Sequence, residues 1–193
     1  MKVFAILVSV LALLAQSAGA ADAPLDVAEV ASLTFVRGCV GHMGAYEQLR
    51  ERLQPGRDLY LPKLSPSDAK PFLQGKEGDA FARFDAGVTM VLLTSEAQCA
   101  VFVQKVSTDR LYKQLEKDIR VAVAKAFSVQ PAGREAKGAL LARFIDLAPI
   151  GEYREELVKQ YGAAIPGLRV ILTTSENANP NLQAIITIGT RQP

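Results

Sequence analysis

Three short apolar runs, 80–84, 88–94 and 99–106, follow one another with only Asp85-Ala86-Gly87 and Ser95-Glu96-Ala97-Gln98 between them. Runs of this length, rich in Val, Leu, Phe and Thr and punctuated by turn residues, predict an antiparallel three-stranded meander. On either side of it the apolar period changes from two to about 3.6. Upstream, Val27, Val30, Ala31, Thr34 and Phe35 share a helical face, which predicts a helix over 26–37. Asp26 supplies its N-cap, and Glu29 stands at capping-box spacing. A second helix is expected over 42–54, with Met43, Tyr46, Leu49 and Leu53 inward and Pro55-Gly56 as its stop. Ser65-Pro66 opens a third, short one.

Downstream, Leu111, Leu115, Ile119, Ala122 and Ala126 form one stripe between about 108 and 128, widened by Tyr112, Val123 and Phe127. Charged residues occupy the opposite side, so the segment predicts an amphipathic helix laid on a sheet. Pro131 and Gly133 make 130–136 read as a loop. A strand over 137–147, a helix over 152–161 and two strands, 168–175 and 182–190, complete the chain. A six-residue connection rich in turn formers, 176–181, joins the last two strands and predicts a hairpin. The expected fold class is therefore α+β: one domain over 21–193, with an antiparallel sheet of about six strands. A long amphipathic helix packs on that sheet, and a helical segment precedes it.

Residues 1–20 stand outside this pattern. Lys2 precedes an almost unbroken apolar run over 3–15, and Ala18-Gly19-Ala20 fits a small-residue cleavage site. This is the layout of a secretory signal peptide, and the apolar run is shorter than a bilayer span requires. The competing reading is an uncleaved N-terminal anchor. Lys2 is the only charge in the segment, so its removal lowers the net charge from +2 to +1. Positive and negative residues mix along the remainder, without the basic stripe of a nucleic-acid binder or a polybasic membrane patch. The absence of Trp also argues against a stacking platform for sugars. No membrane insertion is expected after cleavage.

The two cysteines, Cys39 and Cys99, are 60 residues apart. In an exported chain two cysteines most often pair. Closing a loop of that length gives about 4 kcal/mol on loop-closure entropy. The bond would pin the N-terminal helices onto the meander.

Candidate chemistry is sparse. His42, the only histidine, follows Cys39 by three residues, a spacing compatible with a thiol nucleophile and its base. C-x-x-H offers two metal ligands where three or four are wanted, so no metal site is expected. Serine-hydrolase and nucleotide-binding signatures are missing from the sequence, and no cofactor is expected. Thr173 and Ser175 fall on one face of the fifth expected strand and, with Asn177 and His42, are the candidate binding residues. The bland reading makes the strand-end hydroxyls part of the turn chemistry and His42 a structural helix-end residue.

Five short motifs resemble a pattern in small, uncharacterised exported proteins of Gram-negative bacteria. They are Phe35…Cys39, Gly75…Gly78-Asp79-Ala80-Phe81, Cys99-Ala100-Val101, Thr173-Thr174-Ser175 and Gln183-Ala184. The resemblance implies a periplasmic location and a disulfide, and it carries over no catalytic residue. Composition alone would equally allow an extracellular protein. The function expected on these grounds is non-enzymatic binding of an unknown small ligand or envelope protein. The alternative is a thiol-dependent or hydrolytic enzyme using Cys39 and His42.

Overall fold

A computed structural model describes residues 25–162, 165–175 and 182–191. The expected signal peptide over 1–20 and Asn177 lie outside the described residues. Asp26 caps the first helix as predicted: its carboxylate accepts from the Ala28 amide, and α1 runs Val27–Thr34. The chain then widens into a π-helical turn, Phe35–Val40, in which the Gly41 amide donates to the Val36 carbonyl. That wider turn puts Phe35, Val36, Gly38 and Cys39 all inside. The second helix is shorter than expected. α2 spans Tyr46–Arg52, because 41–44 form a turn in which Gly44 takes φ +79°. α3, Pro66–Leu73, starts on the Ser65 hydroxyl, which accepts from the Asp68 amide.

The meander follows as β1 (Gly78–Arg83), β2 (Val88–Leu93) and β3 (Gln98–Val103). A 3-10 turn, Phe84–Ala86, joins the first two strands. The amphipathic helix α4 runs Thr108–Val123 and buries Leu111, Leu115, Ile119 and Val123. Beyond it the sequence reading needs correction. Residues 127–137, expected as a helix end and a loop, form a strand, β4 (Phe127–Lys137), which pairs with β5 (Leu140–Pro149). The sheet thus has seven strands, close to the expected count of about six. β4 is an edge strand, where Pro131 costs no ladder bond that a partner needs. One extra residue bulges between Pro131 and Arg134, with Gly133 at φ +91°. Only Val129 of this strand is buried, so no apolar period marked it.

After α5 (Gly151–Tyr161), β6 (Leu168–Ser175) and β7 (Ala184–Thr190) pair as the expected hairpin. The order across the sheet is β1-β2-β3-β7-β6-β5-β4, antiparallel throughout. Residues paired in register share a face. One face carries Phe81, Met90, Val101, Ile186 and Leu172 in a single row, under α1, the π-turn, α2 and α4. The other face is covered only in part. α3 seals Ala80, Ala82 and Val91, and Phe72 meets Phe102 edge-on at 5.4 Å. Past β3, the row Phe144, Ile171 and Thr187 stays half-exposed. None of the described helices is long and apolar enough to cross a membrane.

Candidate ligand-binding cleft

The helical layer is fastened to the sheet at one covalent point. Cys39, on the π-turn, is disulfide-bonded to Cys99 at the start of β3, with the Cα atoms 5.4 Å apart, and both residues are buried. This is the pairing expected from the sequence. Three residues on, His42 is buried and both of its ring nitrogens are engaged. Nδ1 lies 3.0 Å from the Arg37 carbonyl and 3.2 Å from that of Gly38. Nε2 lies 2.9 Å from a guanidinium nitrogen of Arg52. Carbonyls only accept and a guanidinium only donates, which assigns the proton to Nδ1. Arg52 in turn forms a two-point ion pair with Asp58. That contact holds the Asp58 carboxyl below the usual carboxylate range, the hydrogen bond from Arg52 being the main cause.

Asp58 belongs to a strap, residues 53–64, that crosses from α2 to the outer edge of β1. Its near end is set by buried Leu53, whose carbonyl accepts from the Leu61 amide at 3.4 Å, and Gly56 at φ +82° turns the chain. Its far end pairs with the edge strand. The Leu64 amide donates to the Ala80 carbonyl at 2.8 Å, and the Ala82 amide donates to the Pro62 carbonyl at 2.9 Å. Beside it, Asp79 accepts from Arg50 and from Lys63, joining α2, the strap and β1. Burial by itself would raise the Asp79 carboxyl, but the two cations outweigh it and the net shift is downward.

Between α1, the π-turn and the strap lies a half-open cleft of about 180 Å³. Val30, Leu33, Leu53, Leu59, Leu61 and Met90 give it apolar walls, while Arg37, Asp58, Tyr60 and Arg83 supply its polar groups. Gly38 lies at its floor, where a Cβ would come within 2.2 Å of the Met90 methyl and push the movable end of that side chain aside. The Arg83 side also borders two adjoining hollows, lined by Pro62, Phe84 and Asp85 on one side and by Asp68, Phe72 and Gln104 on the other. Phe84 is 71 % exposed and Tyr60 47 % exposed, so both present aromatic surface beside these hollows. The arrangement suits noncovalent binding of a small, partly apolar molecule.

The sequence-predicted residues do not gather at one place. His42 belongs to the helical layer and reaches the cleft through Arg52 and Asp58. Thr173 lies on the opposite, open face of the sheet, in register with Ala142 and Ile185. Ser175 shares that face at the strand end, where its amide donates to the Gln183 carbonyl at 3.0 Å. The hydroxyl between them, Thr174, is buried and donates to the Leu141 carbonyl at 3.2 Å. Arg37, Tyr60, Arg83 and Phe84 were missed. Phe84 alone left a signal, as a large apolar residue running straight into a turn. Among the described residues no group of three or more His, Cys, Asp or Glu side chains is placed to hold a metal ion. No protein-family model matches the chain, and no curated protein or solved structure matches it.

Proposed function

We propose that this chain is an exported, periplasmic binding domain that holds a small ligand in the cleft between α1, the π-turn and the strap. The single observation that carries this reading is the construction of that cleft. One wall is anchored by the Cys39–Cys99 bond, and the other is hydrogen-bonded to a strand edge. Walls fixed before a ligand arrives lose little entropy when it binds. The apparent signal peptide supports export, and the disulfide fits an oxidising compartment.

The enzyme reading needs a free Cys39 thiolate and a His42 nitrogen able to take its proton. In the fold the sulfur is bonded to Cys99 and both imidazole nitrogens are engaged. Thiol quantification on unfolded, unreduced protein separates the two readings. The binding domain has no free thiol, and two free thiols would restore the enzyme. Native mass spectrometry of protein purified from its own host then tests binding directly. A co-purifying small molecule is expected in the wild type and lost in Thr34→Trp, which fills the cleft. A ligand retained at full occupancy by that variant would move the site elsewhere.

A further inference from the structure

Resting on the reading of the cleft as the binding site, we infer that its ligand is a small monocarboxylate. The carboxylate is carried by an apolar group about the size of a benzene ring and is met by Arg37 and Arg83. Size sets the apolar part. A cleft of about 180 Å³ is close to the roughly 150 Å³ apolar cavity that accommodates benzene. Six aliphatic side chains line it, which excludes a strongly hydrated head group from its depth.

Charge sets the other end. Of the ionised side chains bordering the cleft, Asp58 is already neutralised by Arg52, and Arg83 is paired with Asp85 at 3.2 Å. Arg37 makes no side-chain ion pair or hydrogen bond among the described residues, which leaves one uncompensated positive charge at the mouth. Arg83 pairs in the open, with both partners well exposed, so that contact is weak and its guanidinium has donors to spare. A planar carboxylate is the anion that a guanidinium fork matches in two-point geometry. A doubly charged anion such as phosphate would overcompensate a mouth carrying one net charge. A neutral apolar molecule would leave Arg37 facing the cleft without an acceptor.

The test uses the mature chain, labelled with nitrogen-15, and phenylacetate as the probe. Titration is expected to move amide resonances of 30–38 and 53–61 saturably. Phenylacetamide, the same shape without the charge, should bind at least about tenfold more weakly, as expected for loss of a charge-assisted contact. Arg37→Gln should weaken phenylacetate by about the same factor. Arg57→Gln removes an exposed charge from the strap without touching the cleft and should leave binding unchanged. Equal affinity for acid and amide, or an unaffected Arg37→Gln variant, would overturn the inference. A short peptide ending in a free C-terminal phenylalanine probes the other source of the same chemistry. Binding of the peptide alone would overturn the assignment to a free small molecule. Perturbation of the same resonances by a chemically different co-purified molecule would refute the ligand class and leave the binding site standing. A co-purified ligand that perturbs none of them would refute the site itself.

Discussion

The two ends of the sheet are built differently. At the β1–β3 end both faces are covered, by the N-terminal helices on one side and α3 on the other. At the β5–β7 end only the face toward α4 is buried, and Ile171, Phe144 and Ile185 on the reverse remain half-exposed. The disulfide, the Asp79 ion-pair centre and the cleft all lie at the doubly covered end. A strand pair packed on both sides cannot shift its register without flipping side chains in two layers. That rigidity is what a preformed cleft needs. The open end carries its polar groups as surface pairs, such as Arg169 with Asp146 beside Phe144.

The largest effect should come from the covalent link. Cys99→Ser releases a 60-residue closure and should cost about 4 kcal/mol, read as the urea midpoint under non-reducing conditions. An unchanged midpoint would mean that packing alone holds the helical layer and would erase the contrast between the two ends. Next comes the ion-pair centre. Asp79 accepts from Arg50, whose side chain is only 16 % exposed and which also pairs with Glu47, so Asp79→Asn removes one of its two carboxylate partners and should cost about 1 kcal/mol.

Acid sensitivity sharpens the same contrast. Asp79 and Asp146 both have lowered carboxyl values in the fold, the first because two cations outweigh its burial, the second chiefly through the hydrogen bond from Arg169. The folded state therefore binds fewer protons than the unfolded state below an ordinary aspartate value of about 3.9. Their stabilisation is complete above that value and drains away as pH falls through the lowered folded values. Urea midpoints between pH 7 and pH 2 should lose less on acidification in Asp79→Asn and in Asp146→Asn than in the wild type. An acid limb identical to the wild type in both variants would remove these pairs as its cause.

The fold was legible where burial imposes a period. α4 buries 3.6-spaced residues and the closing hairpin alternate ones, while β2, covered on both faces, was legible as one continuous apolar run; α4 stops at Val123, short of the expected 128. β4 was illegible because an edge strand with one buried residue and a bulge has no apolar period. The first half of the π-turn was read as plain helix, since Ala31 and Phe35 also satisfy an α spacing, and Cys39 was expected just past the helix end rather than within a wider turn. Cys39 with Cys99 was readable from composition and compartment. The cleft was not, because Arg37, Tyr60 and Arg83 come from three separate segments. Each alone looks like an ordinary solvated residue, and only the strap's crossing over β1 brings them together.

The smallest expected effect, at Ile171, belongs to the most direct probe of the uneven cover. Val91 and Ile171 lie on the same face of the sheet, one beneath α3 and the other with no helix over it. Replacing either with Thr keeps the β-branch and introduces one hydroxyl. Beneath α3 that hydroxyl enters an apolar cluster with Leu64, Ala69, Ala80 and Ala82, none of which offers a side-chain acceptor, so Val91→Thr should cost about 2 kcal/mol. At Ile171 water reaches the new group, and only part of one side chain's burial is lost. Ile171→Thr should cost about 0.5 kcal/mol. Equal losses at the two positions would mean that something covers Ile171 in solution as α3 covers Val91. Concentration-dependent midpoints in the wild type would identify that cover as a second copy of the chain.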